Sequence, residues 1–360
     1  MTNNKKDDGS YLSIHINFTF AVQINFFSYF LKMRKVSALI FMILFFNYSF
    51  GQTTSLPGKP ITEIFTDFHY SFNDTSKTNG FGINRAYLGY KYLPEGKFSS
   101  TVIINVGTPE DLASGSKQRR YAYFREASIA YTDEKLTINF GIASTRIFDF
   151  QQKFWSKRYI GSEYQAIYGY GSVADLGIVV DYRINDLLKV DLTVMNGKGY
   201  SNIQFDNSLK TSFGLTVTTQ NRLAFRLYGD VMKPVGVLQS TLIGFAGFKT
   251  DYLSLGVEAS FKSNLDLING HDTWGISGTG AVNLSEKTEL FVRYDYATSV
   301  IPAGYAINWN YMLDGSFGIY GVQYTFSPNL RMALNYKGNY PYNTLRQSTD
   351  AIYLNVHFRF

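Results

Sequence analysis

The sequence predicts an all-β fold: a transmembrane antiparallel β-barrel of about sixteen strands, with short turns at one rim and long loops at the other. Three observations carry that expectation. The last segment alternates residue by residue, with Ile352, Leu354, Val356, Phe358 and Phe360 on one face and Tyr353, Asn355, His357 and Arg359 on the other. Successive strand residues point to opposite faces, so the segment has one apolar and one polar side. Similar alternating runs recur from Ile61 onward at a spacing of roughly 15 to 20 residues. The connections between them are tight and long by turns. In a transmembrane barrel the apolar faces meet lipid and the polar faces line a lumen.

Composition agrees. Aromatic residues make up 17% of the chain, as 28 Tyr and 30 Phe against 3 Trp. Strands favour such residues, and the Tyr ring with its polar hydroxyl suits a membrane interface. A mean hydropathy of −0.12 is compatible with a barrel, because half of every strand is polar and no helix-length apolar run is needed. Cysteine is absent, which excludes thiol chemistry and Cys-ligated metals and is silent on compartment.

Three segments are expected. Residues 1–32 precede a plausible initiator at Met33 and read as an upstream extension from a misassigned start. Residues 33–51 have the layout of a signal peptide: Met33-Arg34-Lys35, then the apolar run Val36 to Phe46, then Asn47-Tyr48-Ser49-Phe50-Gly51. Cleavage is expected between Gly51 and Gln52. The alternative, an N-terminal anchor helix, is short and wrongly flanked for a membrane span. Residues 52–360 form the barrel. Three of the six net positive charges lie in residues 1–51, where Lys5, Lys6, Lys32, Arg34 and Lys35 face only Asp7 and Asp8. The basic balance is therefore no argument for nucleic acid.

Along the barrel region the strands declare themselves in order. Leu136, Ile138, Phe140 and Ile142 alternate with Thr137, Asn139 and Gly141. Leu176, Ile178, Val180 and Tyr182 alternate with Asp175, Gly177, Val179 and Asp181. Leu253, Leu255, Val257, Ala259 and Phe261 alternate with Ser254, Gly256, Glu258 and Ser260. The same holds for Leu290 to Tyr296 and Leu330 to Lys337. Alternation fails at Ala122 to Glu126, and both faces are apolar within Leu238 to Phe248. Tight turns are expected at 94–96, 133–135, 184–187, 219–221, 249–251, 285–288 and 327–329. Longer, mostly Gly/Ser/Asn-rich connections fall at 73–79, 107–120, 143–173, 196–210, 262–273, 297–315 and 338–349; only 233–237 is short at that rim. This one-sided asymmetry, and aromatics such as Tyr90, Tyr92, Tyr131 and Tyr182 before the tight turns, fit a barrel with a periplasmic girdle better than a soluble sandwich or propeller.

Several segments in their order resemble the phosphate-selective porin O and P family. Arg85-Ala86-Tyr87-Leu88-Gly89-Tyr90 is similar to that family's second-strand motif, and Phe124-Arg125-Glu126-Ala127 to its next landmark. Leu136 to Ile142 leading into Ala143-Ser144-Thr145 resembles a third, without the proline often found shortly after. Ser172-Val173-Ala174-Asp175-Leu176-Gly177 and Met195-Asn196-Gly197-Lys198-Gly199 resemble two more. The resemblance covers most of residues 52–360. It implies a sixteen-stranded porin of the bacterial outer membrane, usually trimeric, with the third outer loop folded into the pore. Its expected partners are outer-membrane lipids, lipopolysaccharide and small solutes or anions, with no cofactor.

In such a barrel selectivity lies in the lumen's width and charged side chains. The strand register places Arg85, Lys91, Arg226, Lys262, Arg293, Arg331, Lys337 and Arg359 on the lumen side. Against them stand Asp67, Asp175, Asp181, Asp191, Asp230, Glu258, Glu289 and Asp295. The signs balance, so the residues do not themselves show the cationic excess that a phosphate filter needs. The stretch 143–173 is too long for a hairpin and too aromatic for disorder, with Phe148, Phe150, Phe154, Trp155, Tyr159, Tyr164 and Tyr168. It reads either as a constriction loop presenting Arg146, Lys153, Lys157 and Arg158 to anions, or as a lid packed on neighbouring loops. Lys117, Arg119 and Arg120 read as solvated, with lipopolysaccharide phosphates the alternative. His69, His271 and His357 have no motif partners, and no metal cluster is legible. The leading function is passive diffusion. A barrel enzyme of lipid-hydrolase type and a non-conducting structural or adhesive barrel are the alternatives.

Overall fold

The computed structural model describes residues 57–72, 79–107, 121–204, 207–220, 222–234, 236–305, 313–342 and 347–360. The expected upstream extension (1–32) and signal peptide (33–51), and Lys117, Arg119 and Arg120, lie outside the described residues. Sixteen strands follow one another. The first four are β1 (Gly58–Ser71), β2 (Gly80–Tyr92), β3 (Phe98–Gly107) and β4 (Tyr121–Thr132). Next come β5 (Leu136–Ser144), β6 (Ala174–Arg183), β7 (Leu188–Met195) and β8 (Lys210–Thr218). Then β9 (Leu223–Met232), β10 (Gln239–Lys249), β11 (Leu253–Ser263) and β12 (Thr273–Asn283). The last are β13 (Thr288–Ser299), β14 (Gly315–Ser327), β15 (Leu330–Pro341) and β16 (Thr349–Arg359).

Every strand pairs antiparallel with its sequence neighbours. The sheet closes where β1 meets β16, from Glu63 opposite Arg359 to Ser71 opposite Ala351. Closure leaves no unpaired edge, which is what lets strands cross a bilayer. The side-chain alternation takes the expected sense. Leu255, Val257 and Phe261 on β11 are 48%, 55% and 42% exposed, while Glu258, Ser260 and Lys262 between them are buried. The apolar side chains thus face outward all round the wall, inverting the arrangement of a soluble protein. This is a transmembrane β-barrel.

Both stretches where alternation fails have a structural cause. The β3–β4 register shifts between Ile103, opposite Glu126, and Ile104, opposite Phe124. Arg125 is therefore an extra residue, a bulge that slips the pattern by one. Similar shifts leave Asn84 and Phe326 unopposed in β2 and β14. Strand β10 is apolar on both faces because Ile243 and Phe245, which point inward, are covered by protein rather than water. What covers them is the connection after β5.

Candidate functional site

The connection from Thr145 to Val173 lies inside the barrel. Its base is closed by Thr145, whose N–H donates to Val173 O at 3.1 Å and whose hydroxyl donates to Ser172 O at 2.7 Å. A short helix α1 (Asp149–Trp155) follows, with Asp149 in the first turn and Lys153 one turn on, their charges 2.7 Å apart. Phe150 and Phe154, four residues apart on one helix face, both pack on Phe245 of β10, with ring centroids 5.5 and 5.0 Å away. Gly247 and Gly256 make room for this. A Cβ on Gly247 would fall 2.6 Å from the Phe154 ring, and one on Gly256 3.0 Å from it. Ser156, at φ 57°, turns the chain out of the helix.

From there the loop runs along the inner wall and returns through α2 (Tyr164–Ile167). The wall holds it largely by donating to its backbone carbonyls. Arg226 Nη2 reaches Arg146 O at 2.7 Å, and Asn355 Nδ2 reaches Tyr159 O at 3.3 Å. Lys337 Nζ reaches Ile160 O and Arg293 Nη1 reaches Ser162 O, each at 2.5 Å. Lys262 Nζ reaches Gly169 O and Tyr170 O at 3.2 and 2.9 Å. An irregular loop has carbonyls without strand partners, and buried ones must be paired. The wall's cations pair them. Loop side chains add contacts of their own, Tyr159 with Gln323 at 2.7 Å and Gln165 with Glu258 at 2.7 Å.

The four loop bases therefore have distinct surroundings. Arg146 forms a bidentate pair with Asp181 at 3.0 and 2.6 Å. Burial works against its charge, yet Asp181 outweighs burial and holds its pKa above the usual arginine value. Lys153 is exposed beside Asp149. Lys157 is buried against Glu289, under the rings of Trp155 and Phe291. Burial pulls its pKa below the usual lysine range despite that carboxylate. Arg158 donates to Gln152 Oε1 at 2.5 Å, its Nε stands 4.0 Å from Glu163 in an ion pair, and its Nε and Nη2 are buried without a hydrogen-bond partner. Burial pushes the phenols of Tyr164 and Tyr168 up, and that of Tyr170 up to about 12, so they remain neutral donors.

The expected wall residues also divide. Arg226 pairs with Asp191 at 2.7 Å and Arg293 with Asp295 at 2.6 Å, and both are buried beneath the loop. Lys337 lies over the Tyr353 ring at 3.9 Å. Arg331 and Lys91 are less covered, Lys91 being exposed. Arg85 is on the same strand as Lys91, β2, and donates to the Tyr87 hydroxyl at 3.0 Å. His69 and His357 do not converge: His69 is opposite Tyr353, and His357 opposite Phe65. Their ring nitrogens engage Asp67 at 3.1 Å and Glu63 at 2.8 Å. Among the described residues no cluster of three His, Cys, Asp or Glu could hold a metal ion.

Sequence reasoning missed the electrostatic centre of the open side. Arg85 on β2 donates to the Tyr87 hydroxyl at 3.0 Å, and the charges of Arg125 on β4 and Arg158 on the loop also act on that phenol. The signal was present as the broken alternation at Ala122 to Glu126, which is the bulge that aims Arg125 inward. Beside this cluster a cavity of about 1150 Å³ remains, bounded by Arg85, Asn105 and Tyr123 on one wall and by Tyr200, Lys210 and Lys262 elsewhere.

No family model and no curated protein matches this chain. Solved structures do. OmpF of Salmonella typhi, in complex with daunomycin, superposes with a TM-score of 0.66 at 12% identity, over 84% of this chain and 97% of that one. The anion-selective porin from Comamonas acidovorans gives 0.62 at 11%, over 84% and 99%. The trimer form of OmpT, an outer-membrane protein of Vibrio cholerae, gives 0.57 at 14%, over 84% and 99%. At such identity the likeness is one of fold, and the fold is that of outer-membrane porins.

Proposed function

We propose that this chain is a bacterial outer-membrane porin through which small hydrophilic solutes and ions diffuse passively. The observation that supports it most is the inward loop: it narrows a closed barrel on one side and leaves a polar cavity on the other. A sixteen-stranded barrel encloses more space than wall side chains fill, so a latched loop sets the aperture. The finer reading is anion preference, supported by the Arg85, Arg125 and Arg158 gathering, since fixed charges at a narrow, partly desolvated aperture act more strongly than on a wide wall. The motif order that resembles the phosphate-selective porin O and P family supports the same sign, and phosphate as solute rests on that resemblance alone. Trimers in contact with lipopolysaccharide are the expected assembly, again by resemblance.

A second reading is a plugged, structural barrel, favoured by the nearly complete burial of the lumen charges of β9 to β13. Planar-bilayer recording separates the two. The porin reading expects stable open channels whose zero-current potential under a KCl gradient reports chloride preference. A folded, inserted protein that stays silent even after residues 146–172 are replaced by a short linker would refute it.

A further inference from the structure

The cavity beside the arginine gathering has chemistry beyond positive charge. Tyr87, Asn105 and Tyr123 form a row across three strands, because Tyr87 is opposite Asn105 and Asn105 opposite Tyr123. Asn105 is 2% exposed. Its Nδ2 donates to the Tyr123 hydroxyl at 2.9 Å, and its Oδ1 accepts nothing among the described residues. A buried amide oxygen without a donor is costly, and such groups are rare in folded proteins. One strand away, Arg125 gives Nη2 to Ser144 Oγ at 3.3 Å, while its Nη1 is likewise unpartnered. An orphaned acceptor and an orphaned cationic donor thus stand on the same wall.

The rest of the surface is aromatic. The rings of Tyr123 and Tyr200 meet at 5.5 Å between centroids, and the Arg125 guanidinium lies 6.0 Å from the Tyr200 ring. Tyrosine faces beside a polar edge suit the CH-bearing face of a polyol. Two acids line the same cavity, Asp266 and Asp175, the latter taking the N–H groups of Leu176 at 2.8 Å and Gly197 at 2.6 Å on its two oxygens.

We propose that Arg85, Asn105, Tyr123 and Tyr200, which line the cavity, form with Arg125 against the Tyr200 ring a subsite for a hydroxylated organic anion of the sugar-acid class. The carboxylate meets the guanidiniums, a hydroxyl donates to Asn105 Oδ1, and the carbon chain lies on the tyrosine rings. An inorganic anion satisfies only the first of these. A neutral sugar satisfies only the last two. The subsite deepens the diffusion-channel reading, on which its role in passage rests, while binding itself does not depend on conduction.

Two measurements on the folded protein in detergent and in planar bilayers test it, with sodium gluconate as probe and propionate and glucose as the controls that lack hydroxyls or charge. Calorimetric titration should show saturable gluconate binding at least about tenfold tighter than either control. Millimolar gluconate should reduce the KCl current in parallel. Asn105→Leu should bring gluconate down to the propionate level, and Arg125→Gln should remove discrimination against glucose; heat-modifiable migration confirms that each variant is folded. Gluconate and propionate binding alike in the unaltered protein would overturn the proposal without recourse to any variant. Binding without conductance would uphold the subsite and sink the channel. Conductance without gluconate binding would do the reverse.

Discussion

Lys157 offers the sharpest test of how the loop uses its charges. By sequence it is one of four cations on a constriction loop; in the fold its ammonium is buried against Glu289 and covered by Trp155 at 5.1 Å and Phe291 at 5.7 Å. Replacing it with Gln leaves the Glu289 carboxylate without its counter-ion. Removing one member of a buried pair costs about 3–5 kcal/mol. Glu289 keeps some solvent and a hydrogen bond from Gln323 at 3.3 Å, so the lower end, about 3 kcal/mol, is expected. The two lost cation–π contacts add about 0.5–2 kcal/mol in total.

The assay is equilibrium unfolding of the folded barrel in urea, read by tryptophan fluorescence, beside bilayer recordings. Lys157→Gln should lower stability by about 3.5–5 kcal/mol and leave the zero-current potential nearly unchanged. Lys157→Met with Glu289→Leu should recover most of the loss, because replacing both buried ions by apolar groups of similar volume is close to neutral. Arg158→Gln should also lower stability, since its side chain is buried beside Glu163, but should in addition shift the potential toward cations, most clearly at low salt where screening is weak. If Lys157→Gln moves the potential as far as Arg158→Gln while stability is unaltered, Lys157 faces the solute and the assignment fails.

Three further outcomes are expected. Leu255→Arg, on the lipid face, should cut refolding into bilayers by about 2–4 kcal/mol, whereas Ser254→Arg should be tolerated; equal effects would mean the register is wrong. Phe245→Ala removes the ring beneath Phe150 and Phe154 and should raise both open-channel noise and mean conductance, and an unchanged current record would show that α1 is anchored elsewhere. Mass spectrometry of envelope-purified protein should find a terminus at or near Gln52, with an intact product beginning at Met1 contradicting the leader.

The fold was legible because a barrel writes its architecture into a period-two pattern: Leu253 to Phe261 declared its apolar face without a partner strand, and the recurrence of such runs with one-sided loops assigned that face to lipid. Turns at 133–135 and 184–187 fall where the structure ends β4 and β6. The site was less legible, for two physical reasons. A bulge is one extra residue, and around Arg125 it erases the alternation that reveals a strand while creating the inward-aimed arginine. The apolar inner face of β10 is intelligible only once Phe150 and Phe154 sit on it, a contact roughly a hundred residues away along the chain. That packing also removes the apparent freedom of Gly256, a polar-face position by register. A side chain there meets Thr279 Oγ1 at 2.9 Å as well as the Phe154 ring, so Gly256→Ser disturbs the loop.

The balance of lumen charges has the same origin. Counted on the sequence, eight wall bases against eight acids describe a nearly neutral pore. In space, an inward loop must satisfy its carbonyls, and the donors within reach are the wall's own cations. Arg226, Arg293, Lys262 and Lys337 are thereby spent on holding backbone, with Asp191 and Asp295 paired to the two guanidiniums to offset the cost of burying their charge. Counting these residues as selectivity charges overstates the field at the aperture from both signs at once. What remains is the side the loop does not cover, where Arg85 lines the cavity and the charges of Arg125 and of Arg158, itself buried beside Glu163, act on the same Tyr87. A pore neutral by composition can still be anion-preferring by position, because charges near the solute act on it more strongly than those paired beneath the loop.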